Sequence, residues 1–148
     1  MAWAGAREQK NNRNRSVSPN LLAPLAQIPG IRWFCLQKDQ RPPYAPDPSV
    51  GCDFTDWTSE LDDFADTAAL MENLDLIVSA DTSVVHLAGA LGRPIWVMMA
   101  FAPDFRWMLY RDDSPWYPTM KLFRQPNAGN WQVPIERVTQ ALHAFRKA

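Results

Sequence analysis

The sequence predicts an α/β layered fold with a mostly parallel, Rossmann-like sheet, and three observations carry that prediction. Strand-like and helix-like segments alternate from one end of the chain to the other. Two strand candidates, 74–80 and 94–99, are near-continuous apolar runs, as parallel strands covered by helices on both faces should be. The helix candidates repeat apolar residues at helical spacing between recognisable start and stop signals. A length of 148 residues fits one domain, 1–148, large enough to form a core without disulfide or metal.

The elements follow in order. Met1 to Gly5 reads as the tail of a buried strand that lacks its beginning, so truncation at the N-terminus is expected. Arg7 to Ser16 contains no apolar residue and reads as a polar, basic loop outside the core. Ser18-Pro19 offers an N-cap with proline at the first helical position. Leu21, Leu22, Leu25 and Ile28 then repeat at helical spacing, Pro24 keeps the helix short or kinked, and Pro29-Gly30 stop it. Ile31 to Leu36 reads as a strand, and 38–50, with Pro42, Pro43, Pro46 and Pro48, as a loop. Cys52 to Thr55 forms a short strand candidate. Asp62 or Asp63 then caps a helix running to Leu74, with Phe64, Ala68, Met71 and Leu74 on its apolar face.

After the strand 74–80, Asp81 is expected to cap a helix from Thr82 to Leu91 that Gly92 closes. The strand 94–99 leads into a long aromatic loop, 100–119, and then a strand, Met120 to Phe123. The segment from Ile135 to Arg146 is amphipathic, with Ile135, Val138, Ala141, Leu142 and Phe145 on one face.

Composition narrows the function classes. Fifteen Lys and Arg against 16 Asp and Glu give a formal charge of −1, which argues against a nucleic-acid coat or a basic membrane-surface protein. No run approaches the ~18 apolar residues of a membrane span, and the N-terminus lacks the apolar core of a secretory signal. Cys35 and Cys52 lie in different segments without CxxC spacing, so two buried thiols in a reducing, cytoplasmic setting are expected. Neither dinucleotide and P-loop glycine motifs, nor a GxSxG elbow, nor zinc spacing occurs, so no metal or cofactor is expected.

The chemistry-bearing stretch is Ser79-Ala80-Asp81-Thr82-Ser83-Val84-Val85-His86. It lies where a parallel strand ends and a helix begins, the edge at which open α/β sheets bind ligands. Unpaired N–H groups and the positive end of the helix dipole make such a start an anion site. Thr82 and Ser83 add hydroxyls, and His86 lies one turn on. An ordinary capped helix with a structural histidine fits the same residues. Arg13-Asn14-Arg15-Ser16 emerges at the same sheet edge, where guanidinium groups grip phosphate, although taken alone the run reads as a solvated basic loop. Asp62-Asp63 and Asp112-Asp113 read as capping or solvated pairs. Phe101, Phe105, Trp107, Trp116 and Tyr117 fit a stacking surface, a sheet-edge cover or the face of a missing neighbour.

The run from Ser79 to Pro94 resembles the nucleotide-sugar site of heptosyltransferase-like (family 9 type) glycosyltransferases, closest to those carried on bacterial tetratricopeptide-repeat proteins. The resemblance extends to Trp3-Ala4-Gly5 with Arg13 to Ser16, to Asp63 to Ala68, and to Asp104 to Trp107 with Asp113 to Pro118. It implies the C-terminal, donor-binding half of a two-domain GT-B type enzyme, which transfers a sugar from a nucleoside diphosphate to a hydroxyl without bound metal. It further implies that Asp81, Thr82, Ser83 and His86, with Arg13 or Arg15, hold the donor diphosphate. Asp62, Asp63 and Asp66 would lie near the nucleoside, and the catalytic base would come from the other domain. The implied partners are a nucleotide-sugar and an N-terminal domain or tetratricopeptide repeats of a parent chain. Ser83 stands where the family commonly has glycine, and a non-catalytic binding domain that retains the fold is the alternative.

Overall fold

The structure, a computed structural model, describes residues 1–38 and 54–145. The proline-rich loop expected at 38–50 lies, but for Lys38, outside the described residues, as do Cys52 and Asp53.

Five strands are present: β1 (Trp33–Phe34), β2 (Phe54–Thr55), β3 (Ile77–Ala80), β4 (Ile95–Met99) and β5 (Met120–Arg124). β1 pairs with β2, and β3, β4 and β5 pair in that order, all in parallel. The leading residues fasten the two sets together. Leu36 N–H donates to Met1 O at 2.9 Å on one side, while Ala2 N–H donates to Val78 O at 3.1 Å and Ala80 N–H to Ala2 O at 2.9 Å on the other. In chain order the sheet therefore runs third, second, first, fourth, fifth, sixth, the order of doubly wound dinucleotide folds. The order reverses between the leading segment and β3.

Helices cover both faces. β3 reads buried at all four positions, which explains its near-continuous apolar run, broken only by Ser79, whose Oγ–H donates to Ala80 O at 2.7 Å. On one side Val78, Ala80, Met98 and Phe123 pack with Trp3 and Val17 against α2 (Ala23–Ala26) and α5 (Gln132–Phe145). On the other, Ile77, Val97, Met99 and Leu122 pack against α3 (Phe64–Glu72) and α4 (Ser83–Ala90). Each large aliphatic side chain so buried contributes roughly 1.5–3 kcal/mol.

The local signals act largely as the sequence indicates. Pro19 starts a 3₁₀ turn, Pro19–Leu22, and Pro24 sits at the start of α2, so this helical region is broken and short. Asp63 caps α3 by accepting from Ala65 N–H at 2.7 Å and Asp66 N–H at 3.0 Å. Gly92, at φ +67°, ends α4: Arg93 N–H reaches Ala88 O and Gly92 N–H reaches Gly89 O, the paired bonds of a Schellman stop.

Four expectations need correction. Thr82, not Asp81, is the N-cap of α4, and Asp81 remains buried at the strand end. Arg7 to Ser16 is not wholly outside the core, because α1 (Asn12–Arg15) turns there and buries Asn12 and Ser16. Ser16 Oγ–H satisfies Asn12 Oδ1 at 2.9 Å, which makes that burial tolerable. Phe64 is 62% exposed rather than part of the apolar face of α3, since the first residue of that helix projects beyond the sheet. Leu21 likewise faces solvent.

Candidate functional site

The reversal of strand order leaves a crevice between the leading segment and β3, the place where such sheets bind ligands. A cavity of about 490 Å³ occupies it. Its walls include Gly5 to Glu8 and Arg15 from beyond the leading strand, and Thr82, Ser83 and Val84 from the start of α4. Lys38, Phe64 and Thr67 close the far side.

The donor character of this cavity comes from two sources. No side chain caps α4, so its first N–H groups are open to an incoming acceptor. Arg15 supplies the second. Its guanidinium lies over Gly5, close enough that a Cβ there would stand 2.5 Å from one terminal nitrogen. Its Nε is buried without an acceptor among the described residues. A half-buried cation with an unused donor is an anion-seeking group. Gln37 shapes the neighbouring wall, its Oε1 accepting from Trp3 N–H at 3.1 Å and Ala4 N–H at 2.8 Å to end the leading strand.

Of the residues singled out in the sequence, Thr82, Ser83 and Arg15 meet in this cavity. Asp81 lies buried just behind it, and Arg13 is exposed on α1 away from its lining. Asp63 and Asp66 face the start of α3 instead: Asp63 caps it, and Asp66 Oδ2 accepts from Asp62 N–H at 2.9 Å. The same stretch contributes Phe64 and Thr67 to the lining, residues for which the sequence pattern suggested a core position or nothing. The available sequence signal for Phe64 was its position directly after an aspartate cap, at the first residue of the helix.

His86 turns the other way. It lies on α4 one turn beyond Ser83, and its ring stacks on Trp107 with centroids 5.4 Å apart and planes 20° apart. Its Nδ1 stands 3.1 Å from Tyr117 Oη. Burial first, and then the Arg106 charge, push its pKa below the ordinary imidazole value, so the neutral ring is favoured.

The aromatic loop is locked onto α4. Tyr117 lies directly over Gly89, and Arg124 at the end of β5 donates to Arg111 O at 2.7 Å and to Trp107 O at 2.6 Å. Those bonds support a backbone in which Met108 and Tyr110 have positive φ, a conformation costing of order 1–3 kcal/mol per residue. Asp113 pairs with Arg111 at 2.6 Å, which holds its carboxyl below the usual range and accounts for one member of the Asp112-Asp113 pair.

Among the described residues no cluster of three or more His, Cys, Asp or Glu could hold a metal, and no helix is long and apolar enough to cross a membrane.

Comparison with known proteins addresses the same stretch of chain. The chain is 30% identical over 141 residues to Protein FlbA of Caulobacter vibrioides, a match covering 90% of this chain and 23% of that protein. The chain thus spans about a quarter of the length of the curated relative it matches. No solved structure matches. The family model of glycosyltransferase family 9 (heptosyltransferase) matches residues 54–110, from β2 through α3, β3, α4 and β4 into the aromatic loop. Over 54–110 the chain is therefore similar to glycosyltransferase family 9.

Proposed function

We propose that this chain binds the diphosphate of a nucleotide-sugar and serves as the donor-binding half of a GT-B type glycosyltransferase. The single observation that carries this reading is the pairing of an uncapped α4 start with the Arg15 guanidinium across one crevice of the sheet. The family 9 match over α4 supports it.

Transfer of a sugar from a nucleoside diphosphate leaves negative charge on the departing diphosphate. Open N–H groups at Ser83 and Val84, together with Arg15, are arranged to receive that charge. Such preorganised donors matter because they need little rearrangement as charge develops, and removing one typically costs about 10²–10³ in rate. Phe64, exposed at the cavity's edge, offers a ring on which a nucleobase can stack, and Thr67 adds a hydroxyl beside it. The Ser83 side chain crowds the helix start more than glycine would, so the phosphate rests on the first-turn amides with the hydroxyl as an added donor. A second domain, or the repeats of a parent chain, would close the cleft and bring the acceptor and the base. The reaction needs no metal in this reading, since amides and guanidinium neutralise the leaving group.

Calorimetric titration with UDP, GDP and ADP tests the reading. At least one should bind, and Arg15→Ala should weaken it about tenfold or more, as expected for loss of a charge-assisted pair. His86→Ala, facing the aromatic loop, should change diphosphate affinity less than Arg15→Ala does. If none of the three nucleotides binds, or Arg15→Ala binds as well as the wild type, the diphosphate site is not here.

A further inference from the structure

Beside the crevice, on the far side of the first turn of α4, lies a second recess of about 480 Å³ lined by His86, Phe105, Arg106, Trp107, Trp116 and Tyr117. Its size falls within the range of small-molecule sites. Phe105 is 86% and Trp116 60% exposed, although burying an aromatic side chain ordinarily stabilises a fold by some 1.5–3 kcal/mol. Trp116 is exposed yet anchored. Trp116 Nε1–H donates to Arg106 O at 2.9 Å, and Trp116 N–H donates to Ser114 Oγ at 3.2 Å. Arg106 in turn is fixed by Asp104 at 2.8 Å through its side chain and at 3.1 Å through its backbone N–H. Trp107 belongs to the recess lining and is fully buried, and its indole N–H has no acceptor among the described residues. His86 commits Nδ1 to Tyr117, which leaves Nε2 without a partner among the described residues.

A flat indole face held in fixed orientation beside a second exposed ring, with a guanidinium and single polar atoms at their edges, matches a ring that is apolar on its C–H faces and hydroxylated around its rim. We propose that this recess is a saccharide subsite, in which a pyranose ring stacks on Trp116 and Phe105 and its hydroxyls meet His86 and Arg106. The class of occupant rests on the glycosyltransferase reading above. Ser83 at the crevice and His86 at the recess are separated by about 4.5 Å of helix rise. A sugar here therefore lies beside the diphosphate donors, whether it is the transferred sugar of a nucleotide-sugar or an acceptor sugar.

Two-dimensional NMR of the whole chain, observing indole and amide signals, separates these sources. One arm titrates the methyl glycosides of glucose, galactose, mannose and N-acetylglucosamine. The other compares UDP-glucose, UDP-N-acetylglucosamine and GDP-mannose with UDP and GDP. Saturable shifts at Trp116, Trp107 and His86 with a methyl glycoside support the subsite as an acceptor position. The same shifts with a nucleotide-sugar but not with its nucleoside diphosphate support it as the donor sugar's position. In either case Trp116→Ala and Phe105→Ala, both at exposed positions, should each weaken the effect about tenfold while the fold persists. If no saccharide or nucleotide-sugar moves the recess signals while UDP or GDP still shifts Ser83 and Val84, the subsite is overturned and the nucleotide reading stands. If no nucleotide binds anywhere, the nucleotide reading falls, and the methyl glycoside arm still decides the recess.

Discussion

Gly89→Ala tests the contact that fastens the aromatic loop to α4. The added Cβ would lie 2.5 Å from both Cδ1 and Cγ of Tyr117. Carbon atoms rest at about 3.5–4.0 Å, so the ring must retreat by roughly 1 Å. Two effects oppose each other. Alanine gains up to ~1 kcal/mol over glycine inside a helix, less here because Gly89 is next to the last residue of α4. Overpacking of this kind costs about 1–3 kcal/mol, and loss of the His86–Tyr117 hydrogen bond adds about 0.5–1.5 kcal/mol. The steric cost wins, for a net loss of about 1–3 kcal/mol. At roughly 2–4 °C per kcal/mol for a domain near this size, Tm should fall by about 2–12 °C in a circular-dichroism melt. In a Tyr117→Ala background the clash is gone, and the same substitution should become neutral or slightly stabilising. A Tm at or above the wild-type value, or an equal loss in both backgrounds, would refute the packing argument.

Three further outcomes follow from the same structure. Gly5→Ala sets a Cβ 2.5 Å from an Arg15 terminal nitrogen and 2.7 Å from Oδ1 of the buried Asn12, so it should weaken nucleoside diphosphate binding several-fold in calorimetry and also lower Tm, because Asn12 and its Ser16 bond must shift. Asp63→Ala removes both cap bonds of α3 and should cost ~1 kcal/mol, seen as a Tm lower by about 2–4 °C. Stability should rise with pH through the ordinary imidazole range, because burial and then the Arg106 charge lower the His86 pKa, so the unfolded chain binds the extra proton there. Urea midpoints on either side of that range measure this, and His86→Gln should flatten the slope.

The fold was legible where burial on two faces leaves a simple pattern. β3 and β4 read directly from their apolar runs because both faces are buried, Ser79 being tolerated through its hydroxyl bond to Ala80 O, and Gly92 marked the end of α4 because glycine takes that φ without strain. The sheet order was not legible. It depends on Met1 and Ala2 finding Leu36 and Val78, contacts between distant segments that no local period encodes. For the same reason the Asp81 cap was misassigned: an aspartate and a threonine side by side both suit a helix start, both are buried, and only the backbone separates them, still extended at Thr82 (φ −138°) before α4 begins.

The candidate site divides along the same line. Thr82 and Ser83 could be placed in the crevice because a helix start after a parallel strand has one position in such a sheet. The direction of His86 could not, since it follows from Trp107 and Tyr117. Their loop takes its path from Arg124 and from positive φ at Met108 and Tyr110, where no glycine announces the turn. Arg15 was separated from Arg13 only by the turn of α1, which brings one guanidinium over Gly5 and leaves the other outside the cavity lining.

The central claim is that a nucleoside diphosphate occupies the crevice between the leading segment and the start of α4. Amide shift mapping during titration with UDP, GDP or ADP locates the ligand directly. Saturable shifts are expected at Gly5 to Glu8 and Thr82 to Val85, greatly reduced in Arg15→Ala. Binding mapped to another part of the sheet, or shifts at α4 that Arg15→Ala leaves unchanged, would contradict the claim.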